Sequence, residues 1–167
     1  MAHDLEEVYD ELAPAGCGYF AARGGVAPDD LTGDVFVSVA SGLADFRGDR
    51  AALRRWVFTI AHHRLVDEYR STRRRREVLV DEPAEPVPAV DRAATRLDPD
   101  LIDALGKLTD EQREVVVLRF VADLSVRDVA TMLGRRSGAV KMLQTRGLTR
   151  VREVLDEHSR DPPGSDA

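Results

Sequence analysis

Residues 124–151 restrict the fold of this chain more than any other segment. Ser125 is a candidate N-cap, with Asp128 completing a capping-box pattern, and Gly134 offers the backbone freedom that a helix end needs. Ser137 is a candidate N-cap for a second helix. The apolar residues after each cap have the three- and four-residue spacing of one buried stripe: Val126, Val129, Ala130 and Leu133, then Val140, Leu143, Gly147, Val151 and Leu155. The pattern predicts a helix-turn-helix, a motif that places its second helix in a DNA major groove.

The polar side of the predicted second helix favours DNA binding. Its side chains lie where base edges and phosphates would be, and further basic residues surround it. The residues concerned are Lys141, Gln144 and Thr145 on the polar side, with Arg135, Arg136 and Arg146 around it. The alternative is a helical hairpin with a basic outer face and no nucleic-acid partner. The two serines on either side of a glycine favour the DNA-binding motif.

The charge of the chain is arranged in blocks. The net charge is -6, yet residues 47–76 hold 10 basic and 3 acidic side chains, and residues 112–152 hold 9 and 3. Two basic segments in an acidic chain suit a protein that contacts DNA with two surfaces and offers acidic surfaces to a basic protein partner. The alternative is that the acidic segments only keep the chain soluble.

Several functional classes lack their signals. The sequence has no apolar run of roughly 18 to 20 residues that would span a membrane, and its acidic start is unlike a signal peptide, so we expect a cytoplasmic protein. Cys17 is the one cysteine, which excludes an intramolecular disulfide and a cysteine cluster, and it is expected to be a small core residue. His62 and His63 are adjacent, and neighbours on a helix point about 100° apart, so they are expected to be polar DNA-facing residues rather than metal ligands. No phosphate loop or nucleophile elbow is present, and neither an enzyme activity nor a cofactor is expected.

The N-terminal half is predicted to be helical. One apolar stripe covers residues 28–43, and a second covers residues 51–70 and leads into a run of arginines up to Arg76 that would attract phosphates. The glycine-rich residues 16–28 predict a compressed helical segment rather than one long continuous helix. Trp56 has two open interpretations, a core residue or an aromatic platform for an unpaired base.

These patterns predict an all-α chain with two small helical domains. Residues 1–76 form the first, residues 99–157 the second, and residues 158–167 a disordered tail. Residues 77–98 contain three prolines and several acids and are expected to be a flexible acidic linker. Thr109 and Gln112 form a further capping-box pattern for the helix behind the recognition unit.

The motifs together resemble the bacterial sigma-70 family, in its small extracytoplasmic-function group. The stretch DDLTGDVF resembles the polymerase-binding helix of that family, and FRGDRAALRRWVFTIAHHRLVDEYR resembles its promoter-melting and minus-10 helix. The stretch LTDEQREVVVLRF with the helix-turn-helix resembles its minus-35 domain. The resemblance implies a non-enzymatic specificity subunit of core RNA polymerase that contacts the beta-prime clamp coiled coil and the beta subunit, and a separate anti-sigma protein as its regulator.

The resemblance also implies three sets of contact residues. Those for polymerase are Asp30, Asp34 and Phe36. Those for the opened minus-10 region are Asp45, Phe46, Arg47, Arg54, Arg55, Trp56, Thr59, His62 and His63, with the loop 45–50 close to a flipped base. Those for the minus-35 element are Arg135, Arg136, Ser137, Lys141, Gln144, Thr145 and Arg146.

Two other classes remain open at this point. The segment LTDEQREVVVLRF with a helix-turn-helix also resembles the output domain of a two-component response regulator, whose receiver domain would need alternating strands and helices. A helical adaptor that binds polymerase without DNA is the other alternative, and the two basic segments argue against it. The chain also departs from the family pattern at His63, Gly138 and Asp34, so no promoter sequence is inferred.

Overall fold

The computed structural model describes residues 2–78 and 97–161, and over these ranges it consists of helices and turns without a strand. The N-terminal helices are α1 (Leu5–Ala22), α2 (Pro28–Gly42) and α3 (Arg50–Val78), with a 3₁₀ turn at Leu43–Asp45 between the last two. The C-terminal helices are α4 (Pro99–Gly106), α5 (Asp110–Phe120), α6 (Val126–Leu133) and α7 (Ser137–Arg160). The all-α prediction is confirmed.

The N-terminal helices bury one apolar face each. Asp4 caps α1 by accepting hydrogen bonds from the amides of Glu6 and Glu7. Tyr19 and Phe20 of α1 and Phe58 of α3 have fully buried side chains. These rings meet edge to face, which adds directional contacts to the area that they bury.

The C-terminal helices pack around α5 and α7. The capping box of Thr109 and Gln112 is present, so the start of α5 is as predicted. Gly147 lies where α7 crosses α5, and a Cβ at this position would lie 2.6 Å from Cγ2 of Val116. Glycine is therefore what allows these two helices to approach so closely.

The N-terminal and C-terminal helices also contact each other, along what we call the seam. Gly18 of α1 lies against Val121 and Leu97, at 3.3 and 3.5 Å from the position of a Cβ. The buried apolar residues of both helix sets join in a single cluster. The N-terminal helices therefore pack against the C-terminal helices across the seam, in addition to the packing within each set.

Three predicted boundaries differ from the structure. α1 is one continuous helix that contains Pro14 and reaches Ala22, so the prediction of a compressed segment rather than a long helix is wrong for residues 16–22. α3 continues to Val78, beyond the predicted end near residue 70 and into the start of the predicted linker, because the arginine run has good helix propensity. α7 continues to Arg160, which makes 158–160 helical rather than part of a tail. The rest of the predicted linker, residues 79–96, and the tail from 162 to 167 lie outside the described residues.

Candidate nucleic-acid interface

The turn of the helix-turn-helix has the predicted capping. The Oγ of Ser125 accepts a hydrogen bond from the amide of Asp128 at 3.0 Å. Gly134 ends α6 in the left-handed region, with φ +62° and ψ +34°, a conformation that costs a non-glycine residue about 1 kcal/mol or more. The next amide, of Arg135, returns to the carbonyl of Ala130 at 2.9 Å. The angle between the two helices is therefore set by local hydrogen bonds.

The predicted cap of α7 is wrong by one residue. Arg136 occupies the N-cap position without a side-chain hydrogen bond, and Ser137 is the first helical residue. The amides of the first turn of α7 thus have no side-chain cap. Open amides and the positive end of a helix dipole suit a phosphate oxygen.

Some of the predicted minus-35 residues are exposed, and others contact side chains of α5. The exposed ones are Arg136, Ser137, Lys141, Thr145 and Arg146. Arg135 instead pairs with Glu111 of α5 at 2.7 Å. Gln144 is half-buried and accepts a hydrogen bond from Nε of Arg119 at 2.8 Å. The structure therefore leaves five of the seven residues exposed and directs two toward α5.

Trp56 has an intermediate environment that combines both interpretations from the sequence. Its ring is half-buried and stacks on Phe46, with ring centroids 5.0 Å apart and an interplanar angle of 24°. Gly42 makes room for it, since a Cβ there would lie 2.9 Å from the indole. The stacked pair joins α3 to the loop at residues 45–50.

The loop before α3 has a contact that sequence reasoning missed. His3, from the chain start, packs on Phe46 at 5.8 Å between centroids, and its Nε2 lies 3.0 Å from the carbonyl oxygen of Gly48. Arg47 folds back so that its Nη1 donates to the carbonyls of Ala44 and Phe46, both at 2.9 Å. No periodic signal in the sequence connects residue 3 with residue 48. Asp45 is exposed on the same loop.

The side chains of α3 that were predicted to face minus-10 DNA lie partly at the seam. Nη1 of Arg54 donates to the carbonyl of Ala122 at 2.9 Å, and Nη1 of Arg55 donates to Oδ1 of Asp128 at 3.0 Å. Thr59 donates to the carbonyl of Arg55 within α3 at 2.7 Å, whereas His63 is exposed.

His62 belongs to a half-buried polar cluster at the seam. Its Nδ1 lies 3.4 Å from the hydroxyl of Tyr19 and 3.8 Å from Oε1 of Glu114, and the same carboxylate oxygen lies 3.8 Å from Nη2 of Arg23. Burial lowers the pKa of His62, while the negative charge of Glu114 opposes this shift. Burial also raises the pKa of Tyr19, so its hydroxyl stays protonated at neutral pH.

The pKa of Asp128 is lowered, as expected for a carboxylate in contact with hydrogen-bond donors. Partial burial would raise its pKa, but the hydrogen bonds from Arg55 and Ser125 bring the pKa below its ordinary value. Asp128 is therefore a charged partner for Arg55 at neutral pH. Neither Glu114 nor Asp128 was predicted as a seam residue, because their helical spacing alone does not show which surface covers them.

The predicted polymerase-binding residues lie on α2 in two environments. Asp30 and Asp34 are exposed, and Asp34 pairs with Arg64 of α3 at 2.8 Å. The ring of Phe36 is 7% exposed and packs edge to face on Tyr9 at 4.8 Å. Phe36 thus holds α2 in place rather than offering its ring to a partner.

Cys17 is buried, as expected, and its Sγ donates to Oδ1 of Asp29 at 3.2 Å. Burial, together with this hydrogen bond and the charge of Asp29, raises the pKa of the thiol to about 12. Within residues 2–78 and 97–161 no group of three or more His, Cys, Asp or Glu side chains has the geometry to hold a metal ion. No helix in those same ranges is long and apolar enough to cross a membrane.

Comparison with known proteins gives two family matches. The family model for sigma-70 region 2 matches residues 18–75, which include α2 and most of α3. The family model for sigma-70 region 4 matches residues 104–153, which include the helix-turn-helix. Both surfaces described above thus lie in recognised sigma-70 regions.

Individual relatives point to the same family. The chain is 29% identical over 147 residues to the ECF RNA polymerase sigma factor BldN of Streptomyces coelicolor, covering 85% of this chain and 56% of BldN. Among solved structures, the sigma factor RpoE of Bartonella quintana, in complex with the anti-sigma factor NepR, matches with a TM-score of 0.73 and 23% identity over 90% of this chain and 96% of that chain. CnrH, in complex with the cytosolic domain of CnrY, matches with a TM-score of 0.60 and 26% identity over 92% and 88%. The capped helix-turn-helix, the all-α fold and these matches agree, and the chain belongs to the extracytoplasmic-function group of the sigma-70 family of RNA polymerase sigma factors.

Proposed function

We propose that this chain binds core RNA polymerase and directs it to promoters by reading a minus-35 element with α7 and an opened minus-10 region with α3. The observation that carries the proposal is the free basic surface on α7, directly after a glycine turn in the left-handed conformation and inside a sigma-70 region 4 match. Catalysis belongs to the polymerase in this proposal, and the site of action is the cytoplasm.

We assign the larger roles in minus-35 recognition to the residues whose side chains are exposed. Lys141, Thr145 and Arg146 are the side chains that we assign to base edges and phosphates, since they are exposed on the first turns of α7. Arg136 and Ser137 lie at its N-terminus, where the uncapped amides favour a phosphate. Arg135 and Gln144 reach DNA only after leaving Glu111 and Arg119, so we propose a smaller role for them.

The minus-10 assignment rests on α3 and the loop before it. Unpairing a base costs a few kcal/mol. Stacking of the base on an aromatic ring, together with arginine contacts to the DNA backbone, offsets that cost without ATP. We assign the loop 45–50 with Phe46 and Trp56 to an unpaired base. Arg54, Arg55, Thr59, His62 and His63 are assigned to the strand that continues along α3.

The polymerase contact is assigned to the exposed acidic residues of α2. Asp30 and Asp34 offer negative charge to a basic surface of the clamp coiled coil of beta-prime, and Phe36 acts by holding the helix. An anti-sigma protein is a further proposed partner, because RpoE was solved with the anti-sigma factor NepR and CnrH with the cytosolic domain of CnrY. We also propose two domains joined by a linker, of which the first includes α3 to its end at Val78 and the second includes α7 to its end at Arg160.

A reconstituted transcription assay tests this function. The purified chain is added to sigma-free bacterial core polymerase on genomic DNA from its own host, and transcript starts are mapped by sequencing. The expected result is a set of discrete starts that share two upstream elements. No such starts from a folded chain that binds core polymerase would contradict the proposal and favour a polymerase-binding adaptor.

Two matched variants make the assay specific to α7. Lys141→Ala with Arg146→Ala is expected to lower transcription from the mapped promoters by about 30-fold or more, because the variant removes two contacts and each direct contact is worth roughly 1–3 kcal/mol. Arg160→Ala removes an exposed arginine from the far end of the same helix and should leave transcription within about twofold, since roughly 20 Å or more of helix separates the two sites. Equal losses in both variants would show a general charge effect rather than promoter reading.

A further inference from the structure

We infer that α7 recognises thymine methyl groups in the minus-35 element, through an apolar strip formed by Met142 and the methyl group of Thr145. The inference rests on the proposed function and adds the base chemistry that α7 reads. The methyl group of thymine is exposed in the major groove, where an apolar side chain distinguishes it from the edges of the other bases. The strip therefore predicts A·T pairs wherever these two side chains meet the DNA.

Met142 lies on the face of α7 that carries the exposed cationic side chains. Its own side chain is 49% exposed. A single exposed apolar side chain is ordinary on a protein surface, so its neighbours decide what it can contact. Lys141 and Arg146 are exposed and lie at about 100° and 40° around the helix axis, on opposite sides of Met142. An apolar side chain therefore stands between two cations that suit the phosphates on either side of a groove.

The packing of α7 on α5 fixes which face of the helix is free. Val140, Gly147 and Val151 are buried, and Gly147 lies directly against Val116 of α5. Met142 is about 140–180° around the helix axis from all three buried residues. The core therefore holds Met142 on the side of α7 that is opposite α5, where a major groove can reach it.

The hydroxyl groups next to Met142 are already used within the helix. Oγ1 of Thr145 donates to the carbonyl of Lys141 at 3.0 Å, and Oγ1 of Thr149 donates to the carbonyl of Thr145 at 2.9 Å. A hydroxyl that donates its one proton to the backbone has none left for a base edge. The methyl group of Thr145 remains for contact with a base, and residues three apart on a helix are neighbours. Met142 and Thr145 thus form one apolar strip.

Gly138 gives the strip room to approach a base pair. It lies one helical turn before Met142 on the same face, and a Cβ at this position would meet open space. A residue without a side chain lets the backbone come close to a ligand. Met142 and Thr145 are about 4.5 Å apart along the helix axis, and base pairs are about 3.4 Å apart. The strip therefore spans one or two adjacent base pairs.

Removal of single methyl groups from the DNA tests this contact. Holoenzyme assembled from the full chain and core polymerase is bound to a promoter mapped above, and each thymine of its minus-35 element is replaced in turn by deoxyuridine. Deoxyuridine keeps the base pairing of thymine and lacks only the methyl group. We expect replacement at one or two adjacent base pairs to weaken promoter binding by about fourfold each, which is the ratio for one buried methyl group.

Two double variants separate an apolar contact from a polar one. Met142→Leu with Thr145→Val keeps both apolar groups, so deoxyuridine should still weaken binding by about fourfold. Met142→Gln with Thr145→Ser keeps polar side chains of similar size without the apolar contacts, so thymine and deoxyuridine promoters should bind equally well. Circular dichroism of both variants establishes that helix content is unchanged.

The matched control is Leu148→Ala. Leu148 is another exposed apolar residue of α7, with 39% of its side chain accessible, and it lies about 120° around the helix axis from Met142. Its removal should leave the response to deoxyuridine at the wild-type value.

Two kinds of result would overturn the inference. Equal binding of the thymine promoter and every deoxyuridine promoter by the wild-type holoenzyme would show that no methyl group is read. A response that persists in Met142→Gln with Thr145→Ser, or that is lost in Leu148→Ala or in Met142→Leu with Thr145→Val, would show that the apolar strip is not the reader.

Lys141→Ala with Arg146→Ala in the transcription assay separates this inference from the proposed function. If that variant loses transcription while no methyl group matters, α7 reads the element without its apolar strip and the proposed function stands. If that variant also keeps full transcription, the minus-35 assignment fails together with the inference.

Discussion

Gly147→Ala tests how the packing of α5 on α7 depends on one missing methyl group. Gly147 is buried in the middle of α7, and a Cβ there would lie 2.6 Å from Cγ2 of Val116 and 3.3 Å from Cδ2 of Leu108. Real Cβ atoms do not approach that closely, so either α7 moves away or Val116 changes rotamer. Val116 is β-branched and sits in a helix, where one χ1 rotamer is strongly preferred, so rotation is costly.

Two opposing effects set the magnitude. Overpacking a core costs roughly 1–3 kcal/mol, whereas replacing a helical glycine by alanine contributes about 0.8–1 kcal/mol. The clash is with a stiff side chain on a packed helix, so we expect the cost to exceed the gain. The free energy of unfolding should fall by up to about 2 kcal/mol, which lowers Tm by up to roughly 8 °C for a chain of this size.

Urea and thermal unfolding of the full chain, followed by circular dichroism, measure this change. Gly138→Ala is the control, because no atom lies within 4 Å of a Cβ at that position on the same helix, and its stability should be unchanged or higher. In Val116→Ala with Gly147→Ala the clash is gone, so the double variant should be more stable than the sum of the two single changes predicts. A Gly147→Ala chain at least as stable as wild type would refute the packing argument.

The remaining predictions concern a turn, a cap, a thiol and a ring. Gly134→Ala should lower the free energy of unfolding by about 1–2 kcal/mol in urea unfolding, because residue 134 has φ +62°. Thr109→Ala removes the capping box of α5 and should cost about 1 kcal/mol in the same assay, while a cost near zero would show that the cap is not used. Cys17 should react slowly with a thiol reagent at pH 8 in the folded chain and rapidly in urea. Folding raises the pKa of its thiol from 9.0 to about 12. The stabilisation that depends on the neutral thiol is therefore complete below pH 9 and is lost as the pH rises toward 12. In Gly42→Ala the new Cβ would lie 2.9 Å from the indole of Trp56, so the ring must move. Trp56 is the one tryptophan, and the maximum of its fluorescence emission should therefore shift. An unchanged emission spectrum would contradict the close approach.

Local signals in the sequence were sufficient for most of the helices and for the caps at Thr109, Ser125 and Gly134. Ser125, Thr109 and Gly134 act within a few residues of their own position, through side-chain oxygens that meet nearby amides or through freedom at one φ angle. The family motifs were equally local, and both sigma-70 regions lie where they were predicted. The predicted N-cap at Ser137 was wrong because Arg136 already has the extended backbone conformation of an N-cap. The turn sets that backbone conformation, whereas the prediction relied on the hydroxyl of Ser137.

Only the tertiary structure decided which of the predicted contact residues are free. Phe36 fits the motif of a polymerase-binding helix, but its ring packs on Tyr9, which the sequence places 27 positions away. Arg54 meets the carbonyl of Ala122 across 68 positions, and His3 meets Gly48 across 45. Periodicity shows which face of a helix is apolar, but it does not show which other helix covers a polar face. The sequence by itself therefore determined most of the helices, the family and the charge of the two basic segments, while the packing of distant segments decided that some of the residues predicted to face minus-10 DNA contact the C-terminal helices.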